Sequence, residues 1–115
     1  AQSVDDAARN LRLNHIPVSR VRLIRGRVED AMRRLARERF DVVVLDPPRQ
    51  GCVPAVLDVI AEDVRPAHVV YVSCNPEALA SDLTRLRSAG YAIDALQAVD
   101  MFPHTEHIET VVTLT

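Results

Sequence analysis

The sequence predicts an α/β protein of the doubly wound kind, on a mostly parallel sheet with a final antiparallel strand, and three observations carry that expectation. Helical and strand-like patterns alternate along the chain, with no internal repeat, low-complexity tract or linker. Two apolar runs, Asp41-Val-Val-Val-Leu45 and His68-Val-Val-Tyr-Val-Ser73, each end at a polar turn, as strands do where an open parallel sheet meets its ligand crevice. The last connection, Asp100 to His107, holds no helical pattern, so the strands it joins are expected to be antiparallel neighbours.

In chain order, residues 3 to 14 read as a helix, with Ser3 as N-cap, Asp5 and Asp6 in the first turn, and Val4, Ala7, Ala8 and Leu11 as its apolar stripe. Val18 to Ile24 alternates and reads as a short strand. Val28 to Arg39 is helical with Met32, Leu35 and Ala36 inward. Asp41 to Leu45 reads as a strand covered on both faces, since three consecutive valines suit that environment. Pro54 to Val64 is a helix broken by Pro66 before the strand His68 to Ser73. Pro76 opens a helix that runs to about Ser88 and stops at Gly90. Tyr91 to Val99 and Ile108 to Leu114 are the last strands. A strand running against the others starts where they end, so Glu109 is expected beside the edge carrying Asp46 and Cys74. Four segments then converge there: Asp46 to Gly51, Ser73 to Pro76, Met101 to Thr105, and His107 to Glu109.

Composition bounds the rest. With 115 residues and 48% apolar content, the chain makes one small core and is one domain or part of one. Two cysteines, no signal-peptide pattern and no apolar stretch near the ~20 residues that cross a bilayer predict a reduced, cytoplasmic protein without a membrane partner. All 14 basic residues are arginine, yet 16 acids leave a net charge of −2, so any nucleic-acid contact must come from a local patch.

A thiol, a carboxylate and a polar loop at one sheet edge suit nucleophilic catalysis. Cys74 directly precedes a helix, whose N-terminus favours negative charge; the other reading is a small buried core residue. Cys52, after Gly51, competes as a thiol but has no base around it. Glu109 is either a carboxylate tuned into a general base or an exposed edge-strand acid. Asp46 is either a ligand contact or a turn residue making an Asx bond. The His104-Thr-Glu-His107 run has metal-ligand spacing only on a helix, and here it lies in a loop, so no metal is expected. No G-x-G phosphate loop is present among the three glycines.

Leu45-Asp-Pro-Pro-Arg-Gln-Gly51, Tyr71-Val-Ser-Cys-Asn-Pro76 and Asp100-Met-Phe-Pro-His-Thr-Glu-His-Ile-Glu109, in this order and spacing, resemble the S-adenosylmethionine-dependent RNA uracil-5-methyltransferases that make 5-methyluridine in tRNA and in large-subunit rRNA. Ala7 through Asn14 also looks like that family's helix after the cofactor-ribose acid, so the resemblance covers essentially the whole chain. It implies that residues 1–115 are the C-terminal part of a Rossmann-like class I methyltransferase domain, with S-adenosyl-L-methionine as cofactor and RNA as substrate. It implies Cys74 as nucleophile towards C6 of a flipped-out uracil and Glu109 as the base that removes the C5 proton. Asp46 would contact the cofactor or the uracil, and Arg49, Asn75, His104 and Thr105 are the implied substrate-side residues. In one departure, the family's acidic or amide residue near the adenine aligns near Arg27, which weakens adenine recognition there or moves it to a backbone amide. In another, the first two strands, the glycine-rich turn, the ribose acid and any N-terminal RNA-binding domain are outside the chain. The expectation is therefore a fragment with exposed sheet edges, prone to rearrange or self-associate and inactive alone. The competing readings are an amino-methyltransferase, a cytosine-5-methyltransferase using Cys52, and a non-catalytic scaffold.

Overall fold

The computed structural model describes residues 2–101, 103–105 and 107–115. Its elements are α1 (Gln2–Leu13), a 3-10 turn (Val18–Arg20), α2 (Val28–Leu35), β1 (Val42–Leu45), α3 (Pro54–Asp58) running into a π-helical segment (Val59–Val64), β2 (His68–Ser73), α4 (Pro76–Ser88), β3 (Ile93–Val99) and β4 (Glu109–Leu114). The four strands form one sheet in the order β1-β2-β4-β3. β1 and β2 are parallel, while β4 lies antiparallel to both β2 and β3. Thus β1, β2 and β3 point one way and only the last strand opposes them, as the helix-free final connection predicts.

One face of the sheet carries the core. Leu45, Val69, Tyr71, Val112 and Leu114 alternate inward along their strands and meet Val56, Leu57 and Ile60 from the α3 segment and Leu79, Leu83 and Leu86 from α4. Val69 pairs with Leu114 and Tyr71 with Val112, so the inward residues of neighbouring strands stack in register. Met32 of α2 packs against the margin of this cluster.

The helix of residues 54 to 64 exists but changes character midway. The N–H of Arg65 donates to the Ile60 carbonyl (2.8 Å), closing a wide turn, and Arg65 takes a left-handed conformation (φ +46°) before Pro66 ends the helix. The widened segment directs Val59, Ile60 and Val64 inward together.

Four expectations need correction. Ser3 is not an N-cap, since it lies inside α1, which already includes Gln2. Val18 to Ile24 is not a strand: the 3-10 turn occupies its first residues, and Val21 is extended (φ −133°, ψ 124°) with no ladder partner among the described residues. An alternating pattern favours extended backbone, but a strand exists only when a neighbour accepts its hydrogen bonds. Nor is β1 covered on both faces. It is an edge strand of the described sheet, with Val42 47% and Val44 65% exposed while Leu45 is turned into the core. Finally, α2 stops at Leu35 rather than Arg39, giving way to a turn closed by the Glu38 N–H on the Leu35 carbonyl (2.8 Å). Helix α1, which buries no residue, is tied to the segment before α2 by Arg25, whose guanidinium forks onto Asp5 at 2.5 and 3.2 Å.

Candidate functional site

The carboxyl ends of β1 and β2 and the start of β4 build the site. After β1 the chain passes Asp46, an exposed carboxylate, and turns through Pro47 and Pro48; the Gly51 N–H donates to the Pro48 carbonyl (2.9 Å) and closes the turn. Gly51 has φ +83°, a conformation that favours glycine.

After β2, Ser73 brackets the thiol. Its Oγ donates to the Asn75 carbonyl (2.9 Å) and accepts from the Asn75 N–H (3.1 Å), which bends the chain at Cys74 and leaves that residue half-buried. Asn75 then caps α4, its Oδ1 accepting from the Glu77 N–H (3.1 Å), with Pro76 in the first turn. The other end of the same amide, Nδ2, donates to the Arg49 carbonyl (2.8 Å). One side chain therefore caps the helix behind Cys74 and fastens the Asp46 loop to it.

Glu109 joins through register. Ser73 pairs with Thr110, the last pair of the antiparallel ladder, so Cys74 and Glu109 are each the next residue beyond it. Glu109 is half-buried, pairs with Val99 on its other side, and shares with Val111 and Thr113 the face away from the helices.

The structure thus brings together Asp46, the Arg49 backbone, Cys74, Asn75 and Glu109. His104 and Thr105 lie exposed in the connection between β3 and β4, at the same edge; His104 has φ +69°, and Thr105 Oγ1 accepts from the His107 N–H (3.2 Å). Phe102 and Glu106, quoted in the resemblance, lie outside the described residues. Among the described residues no group of three His, Cys, Asp or Glu side chains could hold a metal ion.

A cleft of about 530 Å³ opens along the Asp46 loop, walled by Val28 and Glu29 of α2, Val44, Asp46, Pro47, Gly51 and Cys52. Glu29 is held below the usual carboxylate range, first by its own backbone N–H and then by Arg27 (2.5 Å). The cleft combines apolar walls with the Asp46 carboxylate and the Glu29–Arg27 ion pair, a lining suited to a ligand with an apolar body and a cationic centre beside Asp46.

Sequence reasoning missed the buried support beneath the loop. The Tyr71 hydroxyl donates to Asp82 Oδ2, and the Cys52 N–H donates to the same oxygen (2.8 Å). Tyr71 is fully buried and Asp82 is 9% exposed. Burial, then the hydrogen bond to Asp82, pushes the Tyr71 hydroxyl well above its ordinary range. Burial likewise raises the Cys52 thiol, with the Asp82 charge pushing the same way and the Tyr71 hydroxyl opposing, which argues against Cys52 as the nucleophile. The signal was available: Asp82 lies on the inward stripe of Leu79, Leu83 and Leu86, where an acid is costly unless it accepts hydrogen bonds. Glu29 carried no comparable mark, since an acid in the first turn of a helix is ordinary.

Comparison with known proteins adds a second line of support. Residues 2–115 match the model of the family described as tRNA (Uracil-5-)-methyltransferase. The chain is 48% identical over 113 residues to an uncharacterized RNA methyltransferase of Gloeobacter violaceus, covering 98% of this chain and 23% of that protein. It is 44% identical over 118 residues to one of Geobacter sulfurreducens, covering 97% and 22%. The crystal structure of Pyrococcus abyssi tRNA (uracil-54, C5)-methyltransferase in complex with S-adenosyl-L-homocysteine superposes with a TM-score of 0.82 at 35% identity, over 97% of this chain and 26% of that one. The chain spans about a quarter of the length of these relatives.

Proposed function

This chain belongs to the tRNA (uracil-5-)-methyltransferase family, and on that premise we propose that the protein it forms part of methylates C5 of a uridine in structured RNA, tRNA or rRNA, through a covalent adduct on Cys74. The observation that supports this best is that the β2–β4 ladder ends at Ser73 and Thr110, with Cys74 and Glu109 each the next residue beyond that pair and the Asp46 loop fastened to the Cys74 segment by Asn75.

The chemistry explains why such a pairing is needed. C5 of a neutral uracil is a poor nucleophile. Addition of the Cys74 thiolate to C6 forms an S–C bond and moves the C5–C6 electron pair towards C5, so splitting the reaction into two easier steps. Bound S-adenosyl-L-methionine supplies an electrophilic methyl group on a sulfonium. Asp46 at the apolar cleft is the residue that would hold it, its carboxylate suited to a nearby cation, whereas Glu29 is already paired with Arg27. Once C5 carries both methyl and hydrogen, Glu109 takes the proton, the electron pair restores the double bond, and Sγ leaves C6. In this reading Cys74 and Glu109 serve adjacent ring carbons. Arg49, His104 and Thr105, exposed at the same edge, are positioned for the RNA side of the site. A uridine stacked in a helix hides C5 and C6, so the substrate base enters flipped out.

The test is mass spectrometry of the full-length protein incubated with S-adenosylmethionine and an RNA stem-loop carrying 5-fluorouridine, whose C5 substituent cannot leave as a proton. The expected product is a Cys74 peptide joined to methylated fluorouridine. Cys74→Ala is expected to abolish it, and on an ordinary uridine substrate Glu109→Gln is expected to let the methylated adduct accumulate. Equal adduct yields from wild type and Cys74→Ala would remove Cys74 from the mechanism, and a crosslink on Cys52 would move it to the other thiol.

A further inference from the structure

We propose that Asp82 is the positioning residue of this site, fixing the loop that carries Asp46 against the strand and turn that carry Cys74; the inference rests on the function proposed above. Two donors from separate parts of the chain converge on one carboxylate oxygen: the hydroxyl of Tyr71, on the strand leading to Cys74, and the backbone N–H of Cys52, at the far end of the Asp46 loop. Asp82 itself belongs to α4, whose first turn is capped by the residue after Cys74. Strand, helix and loop therefore meet at Asp82 Oδ2.

The approach is close enough to exclude a side chain. A Cβ on Gly51 would lie 2.8 Å from Asp82 Oδ2 and 3.3 Å from the Ala78 Cβ. Gly51 thus serves two purposes, turning the chain at positive φ and letting the loop backbone settle onto the carboxylate. At the loop's outer side the Asn75 amide holds the Arg49 carbonyl. The stretch from Arg49 to Cys52 is consequently pinned at both ends, once to the residue after Cys74 and once to the helix behind it, and this sets where Asp46 stands relative to the thiol. An apolar side chain at position 82 would fill the stripe of Leu79, Leu83 and Leu86, but it would leave the Cys52 N–H and the Tyr71 hydroxyl without their acceptor.

Because both donors share one oxygen, asparagine can present its amide oxygen in the same place, so Asp82→Asn is the conservative rescue for Asp82→Ala. The test compares the full-length wild type with both variants and with Gly51→Ala. It reads hydrogen–deuterium exchange of the peptide spanning residues 46–53, the alkylation rate of Cys74, and the rate of adduct formation on the 5-fluorouridine stem-loop with S-adenosylmethionine saturating. Expected for Asp82→Ala is exchange accelerated by about tenfold in residues 46–53 but not elsewhere, with an adduct rate lowered by about tenfold. Cys74 alkylation is expected to stay within about threefold, because the thiol itself is untouched. Asp82→Asn is expected to restore both affected readouts to within about threefold, and Gly51→Ala to reproduce the alanine pattern.

Unchanged exchange at 46–53 in Asp82→Ala overturns the proposal. So does an equal fall for Ala and Asn accompanied by faster exchange across the whole domain, which makes Asp82 a fold residue only. If the wild type forms no adduct, the functional reading fails and exchange alone decides. Deprotection confined to 46–53 and rescued by asparagine then upholds Asp82 as the loop's anchor, and any other pattern overturns it.

Discussion

Replacing Tyr71 with phenylalanine removes one oxygen and leaves a fully buried ring in place among Val69, Leu86 and Val112. Apolar burial is unchanged and no cavity larger than a hydroxyl forms. What disappears is the hydrogen bond to the Asp82 carboxylate, of the charge-assisted class worth about 1.5–3 kcal/mol. Asp82 keeps the Cys52 N–H, so the loss stays in that range rather than reaching the cost of an orphaned buried charge, about 3–5 kcal/mol. The same hydroxyl gives the prediction a pH signature. Burial and Asp82 hold it protonated well above the ordinary value of 10.0. Its folded pKa is therefore raised, and the unfolded chain ionises first. The stabilisation is complete below about pH 10 and falls by about 1.4 kcal/mol per pH unit above it, until the folded group also ionises. Tyr91, also raised by burial, is present in both proteins and cancels; Cys52, whose thiol the Tyr71 hydroxyl lowers, does not cancel, so both proteins carry Cys52→Ser in this comparison. The protein with Tyr71 should exceed Tyr71→Phe by about 1.5–3 kcal/mol near pH 7, and the difference should vanish about one to two units above pH 10. Urea unfolding followed by circular dichroism, with midpoints compared at constant slope, measures it. No difference at neutral pH, or one that persists unchanged to about pH 11.5, refutes the reasoning.

The two faces of the sheet should respond oppositely. Leu86→Ala in the core is expected to cost about 2–5 kcal/mol and Val44→Thr on the open face less than about 0.5 kcal/mol, and similar urea midpoints for the two would show that the outer face is covered. Asn75→Ala should cost about 0.5–2 kcal/mol through the lost cap, and it should also speed exchange at residues 48–51, which a capping role alone would leave untouched. At about pH 8 iodoacetamide should label Cys52 more slowly in the native chain than in urea, since burial raises its thiol; equal rates would remove the buried support as the cause.

The sequence showed those elements whose hydrogen bonds close locally or whose pattern meets a partner within the chain. His68–Ser73 and Pro76–Ser88 stand where the pattern put them, because Asn75 and Pro76 form an explicit helix start and Gly90 an explicit stop. The antiparallel last pair followed from the lack of a helix between Asp100 and His107. What the pattern could not show is whether a surface is covered. Three valines in a row suit a strand buried on both faces, yet here Val42 and Val44 look outward from an edge strand, since hydrophobicity records an affinity for burial and the rest of the fold decides whether burial occurs. Val18–Ile24 failed similarly: alternation predicts extended backbone, which Val21 has, but not the neighbour that would make it a strand.

The candidate site divides along the same line. Asp46, Cys74 and Glu109 were legible because topology alone places strand ends and an opposing strand start at one edge, and the register then sets Cys74 and Glu109 each one residue beyond the last pair, Ser73 with Thr110. Tyr71, Asp82 and Gly51 were not, because their relation depends on helix packing: an inward acid on α4 gains meaning only when a loop glycine and a strand tyrosine are found against it. Asn75 marks the boundary between the two kinds of information. Its Oδ1 cap is readable from Asn-Pro before a helix, whereas its Nδ2 bond to the Arg49 carbonyl links residues distant in sequence and is visible only in the fold. The groups that would do the chemistry are therefore announced by position along the chain, while the groups that hold them in place are announced by packing. If the proposed adduct forms, its rate should be more sensitive to Asp82 and Gly51, which no motif highlights, than to the exposed side chains of His104 and Thr105, which one does.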